Sequence, residues 1–154
     1  MASGCVSMTH DLDRFVAAQA DSYAAALAEL RRGRKVGHWM WWVFPQLAGL
    51  GMSATSRHYA IADAADARAY VAHPLLGPRL FEATAAVIAA PGTAEAILDS
   101  IDAMKLRSSA TLFAAVADNP TPFDAALTRF FGGKRDARTT ALLGATLTPP
   151  RRPR

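Results

Sequence analysis

Cysteine is almost missing from this 154-residue chain, with Cys5 standing alone. One thiol can form neither an internal disulfide nor a metal cage, so the sequence predicts a protein of a reducing compartment, the cytoplasm. Long apolar runs are missing too. No stretch approaches the roughly 18 residues of a membrane span, and the first ten residues lack the basic-then-apolar order of a secretory signal, so no membrane partner is expected. β-Branched residues are sparse and nothing alternates apolar with polar over strand length, which leaves little from which to build a sheet. Standard catalytic signatures are absent as well: no phosphate-binding Walker loop, no GxGxxG after a strand, no HExxH and no GxSxG.

What the chain does have is alanine and leucine at helical spacing. With 51 % apolar residues it has the composition of one domain with a proper core. The expected fold is all-α, a compact single-domain bundle of about six to eight helices with an irregular tryptophan-rich segment. The domain is placed over residues 11–144, between a flexible N-terminus (1–10) and a disordered basic tail (145–154). That tail holds Arg151, Arg152 and Arg154 after Pro149 and Pro150; without these three arginines the formal charge falls from +4 to +1. Nucleic acid is therefore not the expected partner.

Apolar periodicity and punctuation predict a helix over 11–32, capped by Asp11 and stopped by Gly33, and a short one over 53–59. Asp63 with Asp66 begins a third, which His73-Pro74 ends. Further helices follow from Pro74 to Pro91-Gly92, from Thr93 to about residue 98, from Asp102 to about residue 117, from Thr121-Pro122 to Gly132-Gly133, and after Asp136.

The run HWMWWVFPQLAGLG, residues 38–51, concentrates Trp39, Trp41 and Trp42 where neither helical nor strand spacing holds. Gly37, Gly49 and Gly51 permit a tight path. Side chains this large fill cores, yet neighbours cannot all turn inward, so at least one is expected to border a cleft. Preceded by FVAAQADSYAAALAELRRGRK and followed by HPLLGPRL, MKLRSSATLF and RFFGGKRDARTTALL, the run resembles the bacterial family known as domain of unknown function 1810, over about residues 11–143. The resemblance implies a compact all-helical domain; the calpastatin label that some members carry has no counterpart in these residues. A small helical domain with buried Gln, Trp, Lys and Asp is also similar in outline to the NADAR proteins. That analogy implies N-glycosidic cleavage in ADP-ribose or ribosyl phosphates, although the NADAR motifs do not lay onto this chain residue by residue.

Candidate chemistry is carried by polar residues on apolar faces, each with an ordinary structural alternative. Gln19 falls on the apolar stripe of the first helix between Val16 and Tyr23, so its amide must find partners. His38 follows the basic stretch Arg31, Arg32, Arg34, Lys35 and is either a general acid or base or a hydrogen-bonded structural residue. The four histidines show no paired metal-ligand spacing, so no metal and no cofactor is expected. Lys105 shares its side with Ser109, Leu112 and Val116 in what reads as the first turn of a helix. It must snorkel or meet an anion, which the helix N–H groups and the hydroxyls of Ser108 and Ser109 would help to hold. Arg79 is the candidate second cation of a phosphate fork. Asp102 is either the cap of the Lys105 helix or a working carboxylate. Glu82 points away from the apolar face and is expected to be solvated, so paired glycosidase carboxylates are not in view.

Together these residues predict a pocket that binds a phosphorylated ribosyl or ADP-ribose-like molecule, with hydrolysis of its N-glycosidic bond as the further step. Trp39 or Trp41 stacks, Gln19 and Gln46 bond the polar edge, Lys105, Arg79 and Ser109 hold phosphate, and His38 or Asp102 handles the proton. The alternatives are a non-catalytic ligand sensor and a protein-interaction module, or homodimer, built on exposed aromatics.

Overall fold

Ten of the 17 residues in the helix Ser100–Val116 are buried, and the rest of the computed structural model, which describes residues 11–147, packs around it. Among the described residues the elements are α1 (Asp13–Ala20), α2 (Tyr23–Arg32), α3 (Met40–Val43), α4 (Ala54–His58), α5 (Ala64–Ala72), α6 (Leu76–Ala89), α7 (Ala94–Leu98), α8 (Ser100–Val116), α9 (Thr121–Phe131) and α10 (Ala137–Leu147). The central α8 contacts α5, α7, α9 and α10, while α6 forms a second layer against α2, α5 and α9. Extended pairing is limited to a single bridge, in which Ile61 joins the backbone on either side of Leu47. The described residues are all-α. No helix among the described residues is long and apolar enough to cross a membrane.

The caps explain most boundaries. Ser53, Asp63 and Thr93 each accept a hydrogen bond from the N–H three residues on, opening α4, α5 and α7. Asp136 does the same for Thr139 at the start of α10. Gly33 and Gly132 close α2 and α9 in left-handed conformations. Gly77 serves a different purpose: a Cβ there would lie 2.1 Å from the Val71 carbonyl oxygen, because the chain turns tightly from α5 into α6. Backbone cannot yield as a flexible side chain does, so Gly77→Ala is expected to destabilise by about 2 kcal/mol, read as a lower midpoint in urea with unchanged m.

The structure departs from the sequence expectation in several places: the N-cap of α1 is Leu12 and not Asp11, and α8 begins at Ser100 and not at Asp102. The helix expected over 11–32 breaks at Asp21 and Ser22, because the Ser22 hydroxyl turns back to the Ala18 carbonyl and accepts from the Trp42 indole N–H. The tryptophan segment contains one helical turn, α3. These two differences raise the helix number to ten. Finally, α10 runs to Leu147, into the residues expected to form the tail; residues 1–10 and 148–154 lie outside the described residues.

Candidate functional site

The path of the tryptophan segment is set by a buried carboxylate. α2 carries Glu29 on its inner face beside Ala26 and Leu30, and Glu29 Oε1 accepts from the N–H groups of Val36 (2.7 Å) and Gly37 (2.9 Å) and from Trp39 Nε1 (2.8 Å). Gly37 allows this wrap, since a Cβ there would press to 3.0 Å from the Trp39 ring. Burial opposes ionisation of Glu29. The hydrogen bonds from Gly37, Val36 and Trp39, with the nearby Arg32 charge, overcome that penalty and hold the carboxyl below its usual value. Trp39 is 2 % exposed, so it is a core residue, bonded through its only polar atom, and offers no stacking face to a ligand.

Just before this loop, the Lys35 N–H is anchored on the Ile97 carbonyl (2.8 Å). Its side chain crosses to α8, where Nζ lies 2.7 Å from Asp102 Oδ2 and 5.4 Å from the centre of the Trp39 ring. The other carboxylate oxygen, Oδ1, takes Lys105 at 3.1 Å, and the Lys105 ammonium sits 4.3 Å above the Trp41 ring. One carboxylate thus serves two ammonium groups, all three largely withdrawn from water, with side-chain exposures of 9 % for Lys35 and Asp102 and 17 % for Lys105. Trp41 Nε1, next to this cluster, is buried without a hydrogen-bond partner.

Asp102 is therefore not a helix cap. Asp99 takes that role: its carboxylate accepts from the Asp102 N–H (2.8 Å), while its backbone, at φ 91° and ψ 172°, lies in a strained region that glycine favours. Lys105 consequently stands more than one turn inside α8, away from the free N–H groups, and it pairs with Asp102 instead of snorkelling. Ser108 bonds the Met104 carbonyl. Ser109 is 1 % exposed and faces the interior, not an anion site.

Lys105 forms one wall of an open cleft of about 210 Å³, whose lining includes Gln46, Ser108, Ile101, Met104 and the oppositely charged Arg138 and Asp136. The Arg138 guanidinium is steadied there by the Gly49 carbonyl.

Gln19 and Arg79 belong to a separate cluster. Gln19 Nε2 donates to the Trp42 carbonyl (2.7 Å) and the Tyr70 hydroxyl (3.1 Å), and its Oε1 accepts from Arg79 (3.3 Å). Arg79 also covers the Tyr23 ring at 4.8 Å; it forms no fork with Lys105. The Tyr23 hydroxyl donates to Glu82 (2.6 Å), so Glu82 is a working acceptor and not merely solvated. Burial, then the Glu82 hydrogen bond, pushes the Tyr23 hydroxyl pKa up and keeps it a donor. His38 is exposed and outside the cleft lining.

Of the expected site residues, Gln46 and Lys105 meet at the cleft with Asp102 and Trp41 behind them. Gln19 and Arg79 meet elsewhere, and Trp39, Ser109 and His38 stand apart. Glu29 and Lys35 are the organising residues that sequence reasoning missed. Glu29 had a signal, three residues after Ala26 on the buried stripe of α2, whereas Lys35 was hidden in a basic stretch. Among the described residues no group of three His, Cys, Asp or Glu side chains is placed to hold a metal ion.

Three comparisons place the chain among known proteins. No curated protein matches it. The crystal structure of the conserved hypothetical protein Rv1873 from Mycobacterium tuberculosis is similar, with a TM-score of 0.85 and 50 % identity over 87 % of this chain and 96 % of that one. The family described as "Protein of unknown function (DUF1810)" matches residues 9–143, and the chain belongs to that family.

Proposed function

We propose that the protein is a binding protein whose Lys105 cleft recognises an anionic oxygen group, phosphate or carboxylate, without cleaving its carrier. The carrying observation is the sharing of Asp102 by Lys35 and Lys105, which leaves a net positive charge at the wall of the cleft. An incoming anion takes over Lys105 while Lys35 keeps Asp102 compensated, so the exchange strands no buried charge. Binding without turnover suits the same geometry. Both Asp102 oxygens face ammonium groups, and His38 lies outside the cleft lining, so neither is free to relay a proton there.

Thermal shifts with inorganic phosphate, ribose 5-phosphate and ADP-ribose test this. Lys105→Met keeps the stem over Trp41 and removes the charge. A ligand at 100 times its Kd stabilises by about 2.7 kcal/mol, and this gain is expected to vanish in the variant while chromatography finds the ADP-ribose intact. An equal shift in Lys105→Met would put the anion elsewhere, and release of free ribosyl product would restore the hydrolytic reading.

A further inference from the structure

Two of the large apolar side chains left in solvent stand at the Lys105 cleft. Val36, Met52, Ile101 and Met104, between 67 % and 75 % exposed, are the exposed large hydrophobics of the described residues. Two of them, Ile101 and Met104, flank Asp102 on α8 and line the cleft beside Lys105. Val36 follows Lys35 in the chain, and Met52 follows Gly51, which lines the cleft too. Single exposed apolar residues are normal, but Ile101 and Met104 side by side at a charged cleft mark a contact surface.

Size and charge define what this face contacts. The cleft holds about 210 Å³, less than the roughly 300–1,000 Å³ of pockets that enclose a whole small ligand, while Val36 and Met52 stand outside its lining. Such a shape suits an extended partner that inserts one small group and lays apolar side chains around it. Lys35 and Lys105 outnumber Asp102, and in the cleft lining the Arg138 guanidinium offsets the Asp136 carboxylate, so a positive charge remains and the inserted group is acidic. A second copy of this chain presenting the same face would set Lys105 and Arg138 against their own kind.

We infer that this face docks a segment of a partner polypeptide in which an acidic side chain enters the cleft towards Lys105 and flanking apolar side chains cover Ile101 and Met104. This rests on the anion recognition proposed above and adds that the anion is carried by a peptide chain.

Random peptides displayed on phage and selected on the full chain provide the test. Enriched peptides are synthesised and titrated by fluorescence anisotropy against the wild type, the double variant Ile101→Gln/Met104→Gln and Lys105→Met. The expected peptides carry Asp or Glu flanked by apolar residues, and their affinity falls about tenfold or more in each variant, the usual loss at a contact of consequence. Failure to enrich any peptide, or enriched peptides that bind the double variant as well as the wild type, overturns the docking inference. If phosphate still stabilises the wild type and not Lys105→Met in that case, anion recognition survives its failure. Peptides that lose affinity in the double variant alone, with no acidic residue in common, overturn both.

Discussion

Glu29→Ala is expected to lower stability by about 4 kcal/mol, because it takes the acceptor from three donors at once, the buried Trp39 Nε1 and two part-buried backbone N–H groups, and removes the charge that gathers them. Val36 N–H, Gly37 N–H and Trp39 Nε1 all converge on one oxygen, Oε1. Alanine leaves no nearby group to replace it. In a domain of this size the loss corresponds to a fall in Tm of about 12 °C. Trp39, 2 % exposed in the native chain, loses its anchor, so tryptophan emission shifts to the red before global unfolding. Glu29→Gln keeps an acceptor oxygen without the charge and is expected to lose about half as much. The acid dependence follows from the depressed carboxyl. A group whose folded pKa lies below its unfolded value contributes stability that is full above the unfolded value and is lost as pH falls through the folded one. Since Glu29 is lowered from 4.5, its share is intact at neutral pH and disappears below that value, and Glu29→Gln lacks this part of the acid transition. Urea denaturation of the three proteins across the acid range measures it. An alanine variant with the wild-type midpoint and emission would mean that the loop between α2 and α3 is held by packing alone.

The elements closed by local chemistry were legible in the sequence. Asp63, Thr93 and Asp136 cap helices as read, and Gly33 and Gly132 end them, because each signal acts within four residues. Errors arose where a distant side chain decides. Ser22 breaks the first helix because Trp42, 20 residues on, donates to its hydroxyl. In α8 the sequence offers Asp99 and Asp102 at equivalent spacing. Choosing the second shifted the helix start by three residues and turned Lys105 into a helix-terminal residue, when it is the inner member of an ion-pair cluster. Lys35 meets Asp102 across 67 positions of sequence, and no local pattern encodes that pair. Arg79 illustrates the converse: it flanks the stripe of Leu76, Leu80 and Ala83, which suggests a partner for Lys105, but packing of α6 against α2 delivers it to Tyr23 and Gln19.

Asp102→Asn separates a merely structural ion cluster from one built to receive an anion. The substitution keeps the size of the side chain and leaves two ammonium groups, Lys35 and Lys105, facing one neutral amide. Breaking a largely buried pair from one side strands charge, and the expected cost at low ionic strength is about 3–4 kcal/mol. Adding Lys35→Met removes one stranded charge and recovers about half of that loss, a coupling that a double-mutant cycle measures. Simple screening acts alike on every salt at equal ionic strength. A receiving site does not: phosphate replaces the missing carboxylate, so the single variant gains more stability from phosphate than the wild type does, and more than it gains from chloride at matched ionic strength. Thermal melts of the wild type, the single and the double variant in the two salts decide between these readings. Equal gains from both salts would reduce the cluster to a strut between the α2–α3 loop and α8. A phosphate-specific gain, lost again when Lys105→Met is added, would show that the carboxylate of Asp102 occupies in the free protein the place that a ligand anion takes over in the bound one.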